Sequence, residues 1–143
     1  MKDRYLLKAK RIDNGEWVQG YLFDDGFENG RIFIGGLVIE KYNGTACDDW
    51  NVTGIDFCEV DPSTICQCTG LKDKNGNLIW ENDIIAYRDC TEEKYVIAWE
   101  LDKACFEYQQ YSCSIMNFDE LSSCEVEVIG NIFDNPELLE SEG

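Results

Sequence analysis

Short runs of β-branched and aromatic residues, each closed by Gly or Asn within a dozen residues or so, extend along this whole chain and set what it can fold into. Only two prolines occur, Pro62 and Pro136, so the breaks are made by flexible turn formers, as in proteins assembled from hairpins. Tyr5 to Ile12 reads as a first strand, and after the turn Asp13-Asn14-Gly15 the run Glu16 to Phe23 can pair back on it. Asp24-Asp25-Gly26 and Glu28-Asn29-Gly30 mark a loop. Arg31 to Ile34 and Leu37 to Glu40 follow as two short runs, Lys41 to Gly54 as the longest loop, and Phe57 to Val60 as a further strand.

The second half keeps the style without repeating the sequence. Thr64 to Thr69 is extended, and Leu71 to Asn77 forms a hairpin tip in which Gly76 can take a positive φ. Leu78 to Trp80, Glu81 to Tyr87, Tyr95 to Glu100, Cys105 to Tyr108 and Val126 to Ile132 complete the strand runs. Val126 and Val128 fall on one face of the last run, and Glu125 and Glu127 on the other, the alternation of a half-buried strand. Asp119-Glu120-Leu121 can seed a single helical turn. At the end Asn135 can cap, Pro136 suits a first helical position and Glu137 favours its positive end, so a short terminal helix is expected. The expected fold is mostly β: a small N-terminal β subdomain over residues 1–62, an SH3-like β-barrel over 63–134, and a short helix with an acidic tail over 135–143.

Charge and composition narrow the chemistry. Twelve Lys and Arg face 29 Asp and Glu, a formal net charge of −17, and histidine is absent. Without imidazole there is no Ser-His-Asp or Cys-His catalysis and no zinc site that needs it. A balance this acidic argues against binding duplex nucleic acid, whose phosphates are held mainly by Lys and Arg. It is also uneven. Residues 1–12 carry five basic side chains and one acid, Asp3, a net +4, while residues 13–143 hold 7 basic and 28 acidic groups, a net −21. The basic first strand is expected to pair internally, or else to dock on a neighbouring subunit.

No run approaches the roughly 18 apolar residues of a membrane helix, and MKDRYLLKAK lacks a signal peptide's apolar stretch, so a cytoplasmic protein with no membrane partner is expected. In that compartment the 8 cysteines read as thiols, and none of them forms a Cys-x-x-Cys pair. Cys66 and Cys68, on one face of a strand, are read as small buried side chains.

Several linked segments resemble one family. Glu59-Val60-Asp61-Pro62-Ser63-Thr64-Ile65-Cys66-Gln67-Cys68-Thr69-Gly70-Leu71-Lys72-Asp73-Lys74-Asn75-Gly76, then Ile79-Trp80-Glu81-Asn82-Asp83-Ile84-Ile85, and Val128 to Leu139 at the end, closely resemble the YopX protein family, as does the opening Lys8 to Val18. The resemblance covers nearly the whole chain, with Lys41 to Gly54 and Gln109 to Cys124 as variable parts. The family usually has Gly-Gln-Tyr-Thr-Gly-Leu where this chain has Cys66 to Leu71, and Glu-Gly-Asp where it has Glu81-Asn82-Asp83. Asn replaces Gly best where the backbone is left-handed. The resemblance implies a small, mostly β protein of phage or prophage origin without an established biochemical function, and it supplies no catalytic residues.

The candidate sites are few. A calcium loop over Asp73-Lys74-Asn75-Gly76 fails, because aligning Gly76 with the loop glycine puts Leu71 and Asn82 where carboxylates are needed. Glu81 and Asp83 are the best-placed carboxylate pair and are the basis of a rival reading as a Mg²⁺- or Mn²⁺-dependent nuclease or phosphatase. The alternative is that Asp83 satisfies turn amides. Trp50, beside Asp48 and Asp49 in a polar loop, is the tryptophan expected to be exposed, and these three join Glu81 and Asp83 as candidate interaction residues. Trp17, Trp80 and Trp99 lie in strand runs and lack flanking basic residues dense enough to funnel single strands. The leading expectation is therefore a non-enzymatic accessory protein without cofactors that binds a host or phage protein, with homo-oligomerisation expected from its strand edges. Its sharper form is an acidic mimic of nucleic acid directed at a host protein. A small-ligand-binding barrel is the third reading.

Overall fold

In a computed structural model, the described residues are 2–28, 30–40, 51–87, 90–101, 104–110, 115–117 and 125–140. They are mostly β, in antiparallel sheets with short 3-10 turns. The chain divides into two compact units, Leu6–Ile65 and a second made of Met1–Tyr5 with Cys66–Gly143.

The first unit is a meander of β1 (Leu7–Lys10), β2 (Trp17–Asp24), β3 (Ile32–Glu40) and β4 (Asn51–Glu59), paired in the order β4-β3-β2-β1. The β1–β2 turn is the one its sequence calls for: Gly15 has φ 72°, and its amide donates to the Arg11 carbonyl at 2.9 Å. β3 runs straight through Gly35-Gly36, joining the two runs that the glycines divide in the sequence. β4 begins at Asn51, inside the stretch expected to be loop. After β4 the chain returns to β1: the Ile12 amide donates to the Glu59 carbonyl at 3.1 Å and the Asp61 amide to the Lys10 carbonyl at 2.9 Å. The meander's two ends thus meet, and the face they enclose holds Ala9, Ile34 and Val60, all fully buried, with Leu7, Val18, Ile32 and Ile65 packed around them. Asp61 starts a 3-10 turn (Pro62–Thr64) by accepting from the Ser63 amide, and the hydroxyl of buried Thr64 accepts from the Lys10 amide.

The second unit opens with a 3-10 turn, Lys2–Tyr5, which takes in Tyr5, the expected start of the first strand. It continues with the hairpin β5 (Cys66–Lys72) and β6 (Leu78–Trp80) and a five-stranded sheet of β7 (Asp83–Tyr87), β8 (Cys90–Glu100), β9 (Cys105–Gln110), β10 (Ile115–Asn117) and β11 (Val126–Asn131), ordered β10-β9-β8-β7-β11. Its core joins Ile79, Ile85, Tyr95, Ile97 and Val126. Cys66 and Cys68 are both buried, Cys58 and Cys105 are half-buried, and none of these four is in a disulfide. The last element is a single 3-10 turn, Pro136–Leu139. Asn135 precedes it without capping it through its side chain: its Oδ1 accepts from the Asn131 amide at 3.3 Å, so the group expected to cap the helix instead closes the preceding turn. Expectations for Trp50, Asp48, Asp49 and the turn at Asp119-Glu120-Leu121 lie outside the described residues.

Candidate functional site

The register of the first unit sorts its side chains onto two faces. Tyr21 pairs with Gly35 and Gly35 with Phe57; Phe23 pairs with Phe33, Leu37 with Ile55, and Trp17 with Lys10. These residues alternate with Val18, Ile34 and the rest of the enclosed core, so they share the opposite, outward face. That face is unusually apolar for solvent: Leu37 is 57% exposed, Phe57 54%, Ile55 51% and Tyr21 42%. The Phe33 and Phe57 rings meet edge to face, with centroids 5.3 Å apart. Beside them Phe23, Phe33, Ile55, Phe57 and Asp24 line a hollow of about 260 Å³.

Charges frame this face. Lys8 and Lys10 place their ammonium groups 4.7 and 5.4 Å from the centre of the Trp17 ring, so the basic strand read from the sequence has an aromatic platform. Glu59 lies in register with Phe33, 3.9 Å from the guanidinium of exposed Arg31. Asp24, at the hollow, accepts from the Gly26 amide at 2.8 Å. In the adjoining loop Asp25 accepts from the Arg31 and Phe27 amides, and those two bonds hold its carboxyl below the usual range.

The paired carboxylates of the second unit are used otherwise. Asp83 is buried at the start of β7, and its Oδ2 accepts from the Trp80 amide at 2.8 Å. Glu81 is half-buried, and its Oε1 accepts from the Gln67 amide at 3.3 Å. Between them Asn82 has φ 69°, the left-handed geometry for which Asn is the best substitute after Gly. Among the described residues no group of three or more His, Cys, Asp or Glu is arranged to hold a metal ion.

Two features escaped the sequence reading. Asp73 is buried, and its carboxylate accepts from the amides of Asn75 and Asn77, each at 2.9 Å, and from Val128 on β11 at 3.0 Å. Lys74 adds an ion pair to Glu127 at 3.1 Å. The tip that mimics a calcium loop is thus a clasp onto β11. Asp-x-Asn-Gly-Asn at a hairpin tip was the available signal. Glu107, fully buried on β9, had none, because a single acid in an aromatic run reads as the solvent side of a strand.

The comparisons with known proteins agree with this architecture. The family model described as YopX protein matches residues 33–140. The chain is similar to protein EF1440 from Enterococcus faecalis, whose crystal structure superposes with a TM-score of 0.60 at 29% sequence identity, covering 94% of this chain and 96% of that one. No curated protein matches. No helix among the described residues is long and apolar enough to cross a membrane.

Proposed function

From the premise that this chain belongs to the YopX protein family, we propose that it is a non-enzymatic accessory protein of phage or prophage origin that works by binding another protein through the outward face of β1–β4. The single observation behind this reading is that face. Exposed apolar side chains standing alone are ordinary, but Tyr21, Phe23, Leu37, Ile55 and Phe57 are contiguous on one sheet surface around a hollow. A contiguous patch of this kind marks a protein contact. Burying even half of these side chains offsets several kcal/mol of the cost of association.

The rival enzymatic reading has less support, since Asp83 spends one oxygen on a buried backbone amide and Glu81 turns toward Gln67. An SH3-like relationship for the second unit, with its short strands and 3-10 turns, belongs with the same proposal of a binding scaffold. A photo-crosslinking residue at Ile55, in cells that produce the protein, is expected to give adducts of defined mass. The same residue at exposed Gln67 should give none. Equal labelling at both positions, or none at Ile55, would sink the proposal.

A further inference from the structure

We infer that the partner adds an extended segment as a further strand along the edge of β4, with large apolar residues two positions apart that continue the rows of Ile55 and Phe57. The inference rests on the docking reading above and adds the way the partner is held. A free strand edge offers a series of amides and carbonyls that an extended chain can satisfy in turn. Four strands end the pairing orders, namely β4, β6, β10 and β11. Two of them, β6 and β10, are only three residues long. The edge of β11 is occupied by the β5–β6 tip: the Lys74 amide donates to the Val126 carbonyl at 3.0 Å, and the Asp73 carboxylate accepts from the Val128 amide. β4 has nine residues, and among the described residues its edge is covered only at the end, where the Ile12 amide donates to the Glu59 carbonyl and Arg11 bridges to Val60. It contains neither Lys nor Pro, the residues that commonly guard such an edge.

The register sets the chemistry of the added strand. Ile55 pairs with Leu37 and Phe57 with Gly35 on the outward face, while Gly54, Asp56 and Cys58 fall on the other side. Residues placed opposite Ile55 and Phe57 therefore also point outward, beside the hollow that these two line with Phe23 and Phe33. Large apolar side chains there cover Ile55 and Phe57, each now about half exposed. The residue between them lies opposite Asp56, so Asp and Glu are disfavoured at that position. The same pairing argues against a second copy. Setting Ile55 of one chain against Phe57 of another also sets the two Asp56 side chains against each other, and a two-fold centred on Phe57 puts Ile55 opposite Glu59.

The test uses the full-length protein and an uncharged peptide capped at both ends, Ser-Thr-Ile-Thr-Phe-Thr-Ser. Two further forms carry backbone N-methyl groups, one on Ile and Phe, the other on the three threonines. A fourth peptide, Ser-Thr-Thr-Ile-Phe-Thr-Ser, makes the apolar residues adjacent and so sends them to opposite faces. Binding is read from amide chemical shifts and from hydrogen exchange of β4 amides. The first peptide is expected to shift β4 signals and to slow exchange at alternate residues of that strand, those whose amides point away from β3. Amides of a strand point alternately to its two sides, so one N-methylated form should lose about tenfold or more in affinity while the other binds nearly as the parent does. The adjacent-residue peptide should bind about tenfold more weakly than the first. Ile55→Lys, an edge guard at an exposed position, should abolish binding, with a thermal melt to check folding. If both N-methylated forms bind as the parent does while β2–β4 signals shift, the docking face stands and strand addition is overturned. Equal binding by the adjacent-residue peptide overturns it as well. Sedimentation showing a dimer that Ile55→Lys dissociates would assign the edge to a second copy, again overturning the inference. If no peptide shifts β4 signals, the inference fails, and crosslinking from Ile55 in cells separates the two readings: adducts there keep the docking face, and their absence removes it too.

Discussion

Asp73 shows how one side chain holds a hairpin in place. Taking its carboxylate out of water raises the pKa, but the hydrogen bonds from the Val128, Asn77 and Asn75 amides together favour the charged form more, and the net shift is downward. A folded-state pKa below the unfolded value of about 3.9 means that this stabilisation is complete above that pH and is lost as pH falls through the lowered folded value. Asp73→Asn keeps one acceptor but sets an NH₂ group against the Val128 amide. It is expected to cost about 2 kcal/mol at neutral pH, and the variant's stability should fall less steeply than the parent's below about pH 4. Urea unfolding at pH 7, 5 and 3 measures both effects; coincident curves for the two proteins would show that the carboxylate contributes nothing. Asp83 makes a comparable test against the enzymatic reading. Asp83→Ala leaves the buried Trp80 amide without the acceptor it now has, so a loss of about 2 kcal/mol is expected. A catalytic carboxylate, in contrast, is one whose removal abolishes metal-dependent turnover while the urea midpoint stays put.

At the scale of elements, the strands that were legible in the sequence were those whose residues carry their own reasons. Trp17 to Phe23 is aromatic and β-branched, and it became β2 within a residue; Leu78 to Trp80 became β6. The turns at Gly15, Gly76 and Asn82 adopt the positive φ their residue types permit. What could not be read was set by partners distant in sequence. Gly35-Gly36 looks like a break in any local window, yet β3 runs through it because β4 lies against it. A Cβ on Gly35 would collide with the Asp56 carbonyl oxygen and stand 2.6 Å from the Phe57 Cα, backbone atoms that cannot step aside. At Gly36 a Cβ meets nothing within 4 Å. Gly35→Ala is therefore expected to destabilise by about 2 kcal/mol or more, and Gly36→Ala by less than about 0.5 kcal/mol, its lost unfolded-state freedom offsetting any local cost. Thermal melts of the two variants decide it, and equal effects would mean that the β3–β4 approach has slack. The candidate site escaped for a related reason: Trp17, Phe33 and Phe57 lie on three different strands, and only the pairing register shows that they share a face.

For the whole molecule, charge is the property that composition made plain and that the fold makes consequential. A chain of net charge −17 repels itself when compact, and the unfolded chain relieves that repulsion by expanding. Ion pairs such as Arg11 with Asp13, Arg31 with Glu59 and Lys74 with Glu127 are exposed or half-exposed, and pairs of this kind offset little. Screening should therefore help folding. Raising NaCl from about 10 to 300 mM shortens the Debye length from about 30 Å to under 8 Å, and the melting temperature is expected to rise by a few degrees over that range. A melting temperature that falls with salt would show instead that the carboxylates are paired favourably within the folded chain.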